Sequence, residues 1–331
     1  MLEVLQPGLF TTVQDGGRSG YRKYGVGGSG AMDAVSYQVA NILVQNPLGA
    51  AALEVTLVGP TLRCTKDVVV AICGADFHPT VNGAPVPMWR PLFIRKDAVL
   101  ALRQAVQGCR AYIAVAGGID VPCTMESRST YVPAGLGGWK GRALVQGDVL
   151  PVGEVSSHPN IGGWCARQDG ACHWPRWGVS PRIWSELLAS RIRALPGTHF
   201  AKLSRAAQTA VWSASFRVTP KADRMGMRLD GPSLPISMDR ELVSAGVMPG
   251  TVQLPPGGQP MILMADAQTT GGYPRILHVA TADLPRLAQK RPGDVIQFEE
   301  VDVASARRAW LRQQRVLHIL RCGVTWLWER R

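Results

Sequence analysis

Residues 67–74 have the sequence DVVVAICG, an apolar stretch closed by a glycine. A run of four to eight residues of this kind, ended by a turn former, is typical of a buried β-strand. The stretches YIAVAGG at residues 112–118 and MILMAD at residues 261–266 follow the same pattern. The sequence therefore predicts buried strands in both halves of the chain.

Turn signals and a few helical patterns accompany these strands. Asn82-Gly83 is the dipeptide most typical of a two-residue hairpin turn. Helical spacing of apolar residues occurs at 32–43 after a candidate N-cap at Ser29, at 181–188, and at about 303–320 after a candidate cap at Asp302. We therefore predict a mainly β protein with a few helices, built as a barrel or a sandwich.

The length of 331 residues favours two domains. The 36 glycines and 24 prolines argue against a helical bundle or a coiled coil, because both residues interrupt helices. We predict a first β domain at 1–152, a linker or excursion at 153–190, a second β domain at 191–300, and a basic C-terminal helix and tail at 301–331.

Lysines and arginines outnumber aspartates and glutamates by 36 − 24 = 12. The excess is spread along the chain and comes with no nucleic-acid-binding motif, so we expect a solvated basic face and no nucleic-acid partner. No apolar run reaches the roughly 18 residues of a membrane span, and the N-terminus does not resemble a signal peptide. A cytoplasmic protein that does not bind membranes is the expectation.

The seven cysteines are odd in number, scattered, and without a CxxC pair. They indicate neither a disulfide framework nor a zinc knuckle. Cys165, Cys172 and His173 lie close in sequence but lack a fourth ligand at the usual spacing, so we expect no metal.

A glycine-rich loop at residues 25–30, GVGGSG, matches the dinucleotide pattern GxGxxG. The residues before it are polar and rich in glycine, unlike the buried strand that a dinucleotide site requires. A loop of this kind that leads into a helix can still bind an anion through free backbone N–H groups. The candidate anion loop consists of Gly27, Gly28, Ser29 and Gly30.

A second loop at residues 266–274, DAQTTGGYP, follows a predicted buried strand. Asp266 could act as a base at the rim of the strand, and the side chains and N–H groups that follow could stabilise negative charge on an amide oxygen. Composition alone favours the alternative, an ordinary turn. The chain shows no GxSxG, HExxH or P-loop pattern, so a self-contained catalytic triad or ATP site is not indicated.

Ordered motifs along the chain resemble one known family. They include QDGGRSGY at 14–21, SGAMD at 29–33, SRST at 127–130, DRMG at 223–226 and QTTGGYP at 268–274. The sequence is similar to allophanate hydrolase subunit 2, the biotin-dependent carboxyltransferase-like family, which includes the C subunit of 5-oxoprolinase. Glu126 stands where this resemblance leads us to expect glycine.

The resemblance implies two cyclophilin-like β-barrel domains and a hydrolase subunit that acts on C–N bonds of amides. It implies ATP-dependent conversion of 5-oxoproline to L-glutamate, with partners similar to allophanate hydrolase subunit 1 (the B subunit of 5-oxoprolinase) and to its lactam-opening A subunit. The chain alone would be inactive, and ATP would be used by the complex. One alternative is a carboxyltransferase-type subunit for urea or allophanate, with biotin supplied by another chain. Another is a regulatory protein that binds and antagonises a kinase inhibitor.

The resemblance also suggests site residues. Arg224 would hold an acidic group of the substrate, because a guanidinium donates two hydrogen bonds to a carboxylate. The predicted catalytic residues are Asp266, Gln268, Thr269 and Thr270. The predicted substrate-binding residues are Arg224, Gln253, Gly271, Gly272 and Tyr273.

Overall fold

The computed structural model describes residues 1–154, 170–180, 183, 186–237 and 242–330. Cys165, much of the predicted 153–190 excursion and part of the predicted helix at 181–188 lie outside the described residues. The chain packs as two compact units that alternate along the sequence: Met1–Arg18, Asp33–Trp184 and Arg315–Arg331 form the first, and Ser19–Met32 with Ser185–Gln314 form the second. The predicted domain boundaries stay a prediction.

The first unit contains two six-stranded antiparallel sheets, in the orders β11-β1-β4-β9-β6-β7 and β12-β8-β5-β10-β3-β2. Their strands are β1 Leu2–Gln6, β2 Phe10–Gln14, β3 Ala52–Thr56, β4 Thr61–Cys64, β5 Val68–Asp76, β6 Thr80–Val81, β7 Ala84–Pro85, β8 Pro91–Ile94, β9 Val99–Ala101, β10 Gln107–Val115, β11 Val149–Leu150 and β12 Cys172–His173.

The sequence pattern located the centre of this unit. The apolar stretch at 67–74 lies in β5 and the stretch at 112–118 begins in β10, and these two strands pair with Cys73 opposite Tyr112. Both strands are buried along nearly their whole length. The predicted Asn82-Gly83 turn joins β6 to β7. The predicted strands and hairpin are therefore confirmed.

Helix α1, Ala34–Leu43, begins at a different cap from the one predicted. Asp33, rather than Ser29, is the N-cap: its carboxylate accepts hydrogen bonds from the Ser36 backbone N–H at 2.9 Å and from the Ser36 hydroxyl at 2.6 Å. Ser29 has a left-handed backbone, with φ of 50°, four residues before the cap. Serine and aspartate are both good caps, so residue type alone did not separate them.

The second unit is a closed seven-stranded barrel in the order β13-β20-β17-β18-β15-β14-β21, closed by parallel pairing of β13 with β21. A two-stranded ribbon, β16 with β19, lies outside this ladder. The strands are β13 Arg191–Pro196, β14 Phe216–Val218, β15 Gly226–Asp230, β16 Ala245–Gly246, β17 Thr251–Gln253, β18 Met261–Leu263, β19 Thr270–Gly271, β20 Arg275–Val279 and β21 Val295–Glu300.

Among the helices that the structure describes in full, three more are α2 Arg205–Ser213, α3 Leu284–Ala288 and α4 Val303–Glu329. Short 3-10 turns lie at Arg22–Tyr24, Val132–Ala134, Phe200–Lys202 and Thr281–Asp283. Helix α4 starts where the sequence predicted, and the Asp302 carboxylate accepts from the Ser305 N–H at 2.7 Å. It continues nine residues beyond the predicted end, because Val324 and Trp328 extend the buried side of the helix after Leu317.

The predicted fold class, mainly β with two cyclophilin-like β-barrel domains and a few helices, is confirmed, with full closure of the ladder seen in the second unit. Within the described part of the chain, no helix combines the length and hydropathy needed to cross a bilayer.

Candidate functional site

Arg224 and Asp266, both predicted site residues, form an ion pair in the second unit. The guanidinium donates from Nε to Oδ2 at 2.8 Å and from Nη2 to Oδ1 at 2.9 Å. The backbone N–H of Asp266 also donates to the Arg224 carbonyl at 2.8 Å, which aligns the two side chains. We expected Asp266 at a partly exposed rim; instead only 2 % of it is exposed. A buried carboxylate requires a partner, and Arg224 supplies it.

The same guanidinium joins the two candidate loops. Arg224 Nη2 donates to the carbonyl of Gly30 at 2.8 Å, so the glycine-rich loop at 25–30 and the loop at 266–274 meet at one side chain. The sequence presented these loops as separate candidates about 240 residues apart. Their shared anchor makes them one candidate site within the second unit.

Arg22 is a second anchor that the sequence did not single out. It lies in a 3-10 turn just before the glycine-rich loop, and its guanidinium donates to the carbonyls of Val247 and, at 3.2 Å, Gln268. The predicted residue Gln268 is therefore held through its backbone. In the sequence, Arg22 is marked only by its position in a glycine-rich polar stretch. That pattern is too common to predict that the residue anchors a distant loop.

The polar residues after Asp266 form one strand of the small ribbon. Thr270 and Gly271 pair with Gly246 and Ala245, and the Thr269 carbonyl accepts from the Val247 N–H at 3.0 Å. Thr270, Gly272 and Tyr273 are exposed, so their polar groups can reach a ligand from solvent. Of the two predicted catalytic threonines, Thr269 is half-buried and Thr270 is exposed, three and four residues after the buried Asp266.

Gln253 lies beneath this ribbon. It ends strand β17 and has no exposed surface. A Cβ added at Gly271 would overlap the Gln253 amide nitrogen, so the ribbon passes close over this amide and a larger residue at 271 would displace the side chain or the strand. Within the described residues, neither Oε1 nor Nε2 of Gln253 has a hydrogen-bond partner.

Two arginines contact the backbone at the ribbon within the described part of the chain. Arg22 donates to the Val247 carbonyl and Arg275 to the Gly246 carbonyl, the latter at 3.4 Å. Burial and the neighbouring Arg275 lower the pKa of His199, whose Nδ1 accepts from the Arg275 N–H at 3.1 Å. Since Asp266 is neutralised by Arg224, these surroundings favour an anionic ligand.

An anion-binding role for Gly27, Gly28, Ser29 and Gly30 stays a prediction. Gly27 and Gly30 are buried, and Gly30 is tied to Arg224 through its carbonyl. The N-terminus of helix α1 already has the Asp33 carboxylate as its cap. A loop anion would therefore depend on the backbone N–H groups of the loop itself.

Two further motifs are explained by the packing of the first unit. The Asp15 carboxylate accepts from the Gly17 N–H at 2.8 Å, the Ser127 hydroxyl at 2.7 Å, the Arg128 N–H at 2.5 Å and the Ser129 hydroxyl at 2.5 Å. Asp15 is buried, so these donors stabilise its charge. The motifs QDGGR and SRST therefore form one structural network.

Known proteins are similar to this chain in sequence and in fold. Residues 24–300 match the family described as carboxyltransferase domain, subdomain A and B. The chain is 41 % identical over 316 residues to the C subunit of 5-oxoprolinase from Escherichia coli strain K12, covering 95 % of this chain and 96 % of that protein. It is 33 % identical to the urea amidolyase of Saccharomyces cerevisiae, covering 92 % of this chain but only 17 % of that protein.

A solved structure gives the same result for the fold. The Kluyveromyces lactis urea amidolyase matches with a TM-score of 0.84 and 29 % identity, over 96 % of this chain and 20 % of that one.

Proposed function

The chain belongs to the carboxyltransferase domain family, subdomains A and B, and on that basis we propose that it is a subunit of an ATP-dependent amide-processing complex that converts 5-oxoproline to L-glutamate. The observation that carries the proposal is the likeness to the C subunit of 5-oxoprolinase over nearly the whole of both chains, at 41 % identity for the Escherichia coli protein and 35 % for that of Haemophilus influenzae.

The charge and chemistry of the candidate site support this substrate. 5-Oxoproline is an anion that carries a cyclic amide. Arg22 and Arg275, which donate to backbone carbonyls at the ribbon, suit its carboxylate. The hydroxyls of Thr269 and Thr270 and the N–H groups of Gly271 and Gly272 suit an amide oxygen that gains negative charge. Tyr273 and Gln268 flank these groups.

In this proposal Arg224 and Asp266 position the site. A carboxylate whose two oxygens both accept from a guanidinium must break that pairing before it can act as a base. The pair instead fixes the Gly30 carbonyl and the start of the 266–274 loop. Asp266 acts chemically only if substrate binding releases it, which a variant can test.

In this proposal, other chains of the complex carry out lactam opening and the use of ATP. The proposed partners are a chain similar to the B subunit of 5-oxoprolinase and a lactam-opening chain similar to its A subunit, and ATP is used by the assembled complex. The chain alone is expected to have no turnover.

A second candidate is supported by the likeness to urea carboxylase from Kluyveromyces lactis, at a TM-score of 0.83 and 29 % identity. The chain would then serve carboxyl transfer to urea. Ala31-Met32 is followed by Asp33 and gives no biotinylation sequence, so biotin would come from another chain.

One experiment separates the candidates. The chain is co-expressed with the products of its neighbouring genes, and ATP hydrolysis is measured with 5-oxoproline, with urea and with no substrate. Stimulation by 5-oxoproline in the complex, and none with the chain alone, is the expected result. Stimulation by urea supports the second candidate, and a complex without turnover on either substrate contradicts both.

A further inference from the structure

The side-chain amide of Gln253 is buried in an unusual state. It has no exposed surface, and neither of its polar atoms has a partner among the described residues. Buried amides are normally paired, because the unpaired group loses its hydrogen bonds to water without replacement. An exception of this kind at a candidate site indicates a ligand that supplies the missing bonds.

Gln259, in the same unit, shows what a paired glutamine looks like. Its Oε1 accepts from the Gly231 N–H at 3.1 Å and its Nε2 donates to the Gly231 carbonyl at 3.0 Å. One carboxamide thus satisfies one N–H and one C=O together. Gln253 offers the same donor and acceptor to a group outside the described residues.

The strand that lies over Gln253 is short and contributes no side chain above the amide. Gly271 lies against the amide and contributes no side chain. Its strand is held to β16 by two residue pairs, Ala245 with Gly271 and Gly246 with Thr270. Lifting this strand would expose the amide to a ligand bound among the polar groups of the ribbon.

The geometry of a carboxamide selects the ligand. It pairs best with an N–H and a C=O on the same side of a bond, which is the arrangement of a cis amide. Open-chain secondary amides are almost always trans, whereas a small ring forces the amide to be cis. A lactam or a cyclic urea therefore offers both groups across a single C–N bond, whereas a single trans peptide bond does not.

We propose that Gln253 recognises the cis amide of the ligand, with Oε1 accepting from the ring N–H and Nε2 donating to the ring carbonyl. This inference rests on the proposed function and names its recognition residue. Two cyclic ligands with this chemistry are 5-oxoproline, a lactam, and the cyclic urea of biotin carried by another chain.

The melting temperature and ligand binding of two glutamine variants distinguish a recognition role of Gln253 from a structural one. Gln253→Leu removes an unpaired buried amide and keeps the volume, so it should raise the melting temperature by about 2–4 °C. Gln259→Leu is the matched control and should lower it, because Gly231 loses both partners. Only the Gln253 variant should lose ligand binding.

The test is thermal unfolding of the isolated chain and of the assembled complex without ATP. Each is measured with 5-oxoproline, with biotin, and with N-methyl-5-oxoproline, which lacks the ring N–H. We expect stabilisation by 5-oxoproline or biotin, little by the N-methyl compound, no response in Gln253→Leu, and a preserved response in Gln259→Leu.

The outcomes separate this inference from the proposed function. Stabilisation by biotin alone, lost in Gln253→Leu, supports the recognition role and contradicts 5-oxoproline as substrate. A lower melting temperature for Gln253→Leu, an equal response to the N-methyl compound, or no response of the complex to either cis amide would overturn the role of Gln253.

Discussion

Arg224 and Asp266 form a two-bond ion pair whose side chains are only 7 % and 3 % exposed. Asp266→Asn would remove the carboxylate that accepts two hydrogen bonds from the buried Arg224 guanidinium. We expect the free energy of unfolding to fall by about 3–5 kcal/mol, measured by denaturant unfolding of the isolated chain.

Asp120→Asn is the control for that variant, since Asp120 is 60 % exposed and lies 3.7 Å from Arg128. An exposed pair of this kind contributes about 0–1 kcal/mol. If Asp266→Asn left stability intact but lowered the rate of the complex by about two orders of magnitude or more, Asp266 would have a chemical role instead of a positioning one.

Asp15 should behave as the centre of a shared network. Asp15→Asn weakens bonds to four donors at once, and we expect a loss of about 3–5 kcal/mol, against about 1–2 kcal/mol for Ser127→Ala, which removes one bond. The double variant should lose less than the sum, because the two residues share the network. Additive losses in denaturant unfolding would contradict a coupled network.

Gly271→Ala tests the close approach over Gln253. The new Cβ must displace the amide or the strand, so we expect a loss of about 1–3 kcal/mol. Gly246→Ala, in the paired strand, has open space around its Cβ position and should change stability by less than about 0.5 kcal/mol. Adding Gln253→Ala to Gly271→Ala should restore stability; failure of this rescue would place the clash elsewhere.

Stability should depend on Asp148 at acid pH. Two hydrogen bonds from the Arg142 guanidinium, at 2.7 and 2.8 Å, lower the pKa of this carboxyl below its usual value. Because the folded-state pKa is the lower one, the contribution is complete above about pH 4, the ordinary pKa of aspartate, and is lost as pH falls below that. We expect Asp148→Asn to remove about 1–2 kcal/mol at pH 7 and much less at pH 2.5. A constant difference between these pH values would contradict the assignment.

Glu126→Gly should stabilise the first unit. Glu126 has a left-handed backbone with φ of 58°, a conformation that favours glycine. Since an L-residue there costs about 1–2 kcal/mol and glycine adds entropy to the unfolded chain, we expect a net gain of about 0.5–1 kcal/mol in denaturant unfolding. Glu126→Ala keeps the Cβ and should give no gain; an equal gain would point to charge instead of backbone conformation.

The sequence predicted elements whose signal is local. The apolar run at 67–74, the Asn82-Gly83 turn and the Asp302 cap each depend on neighbouring residues, and each was found where the pattern indicated. The sequence also identified the two candidate loops, at 25–30 and 266–274, but it did not show that both are held by Arg224.

The Arg224–Asp266 pair depends on the register of two distant strands. Strands β15 and β18 are antiparallel with Gly226 opposite Leu263. Extending this register places Arg224 opposite residue 265, beside Asp266. Hydrophobic patterns predict that both strands exist but do not give their register, so the pair could not be derived from the sequence. The environment of the Gln253 amide also depends on how distant strands pair. The sequence therefore could not show that neither of its polar atoms has a partner among the described residues.

The indole N–H of Trp328 donates to the Leu43 carbonyl at 3.1 Å across 285 residues, and Trp328 is 1 % exposed. At a translation rate of about 5–20 residues per second, Leu43 leaves the ribosome roughly 15–60 s before Trp328 does. The first unit is therefore begun early in synthesis and completed late. A premature stop codon near position 315 would damage the part of the protein that is encoded first.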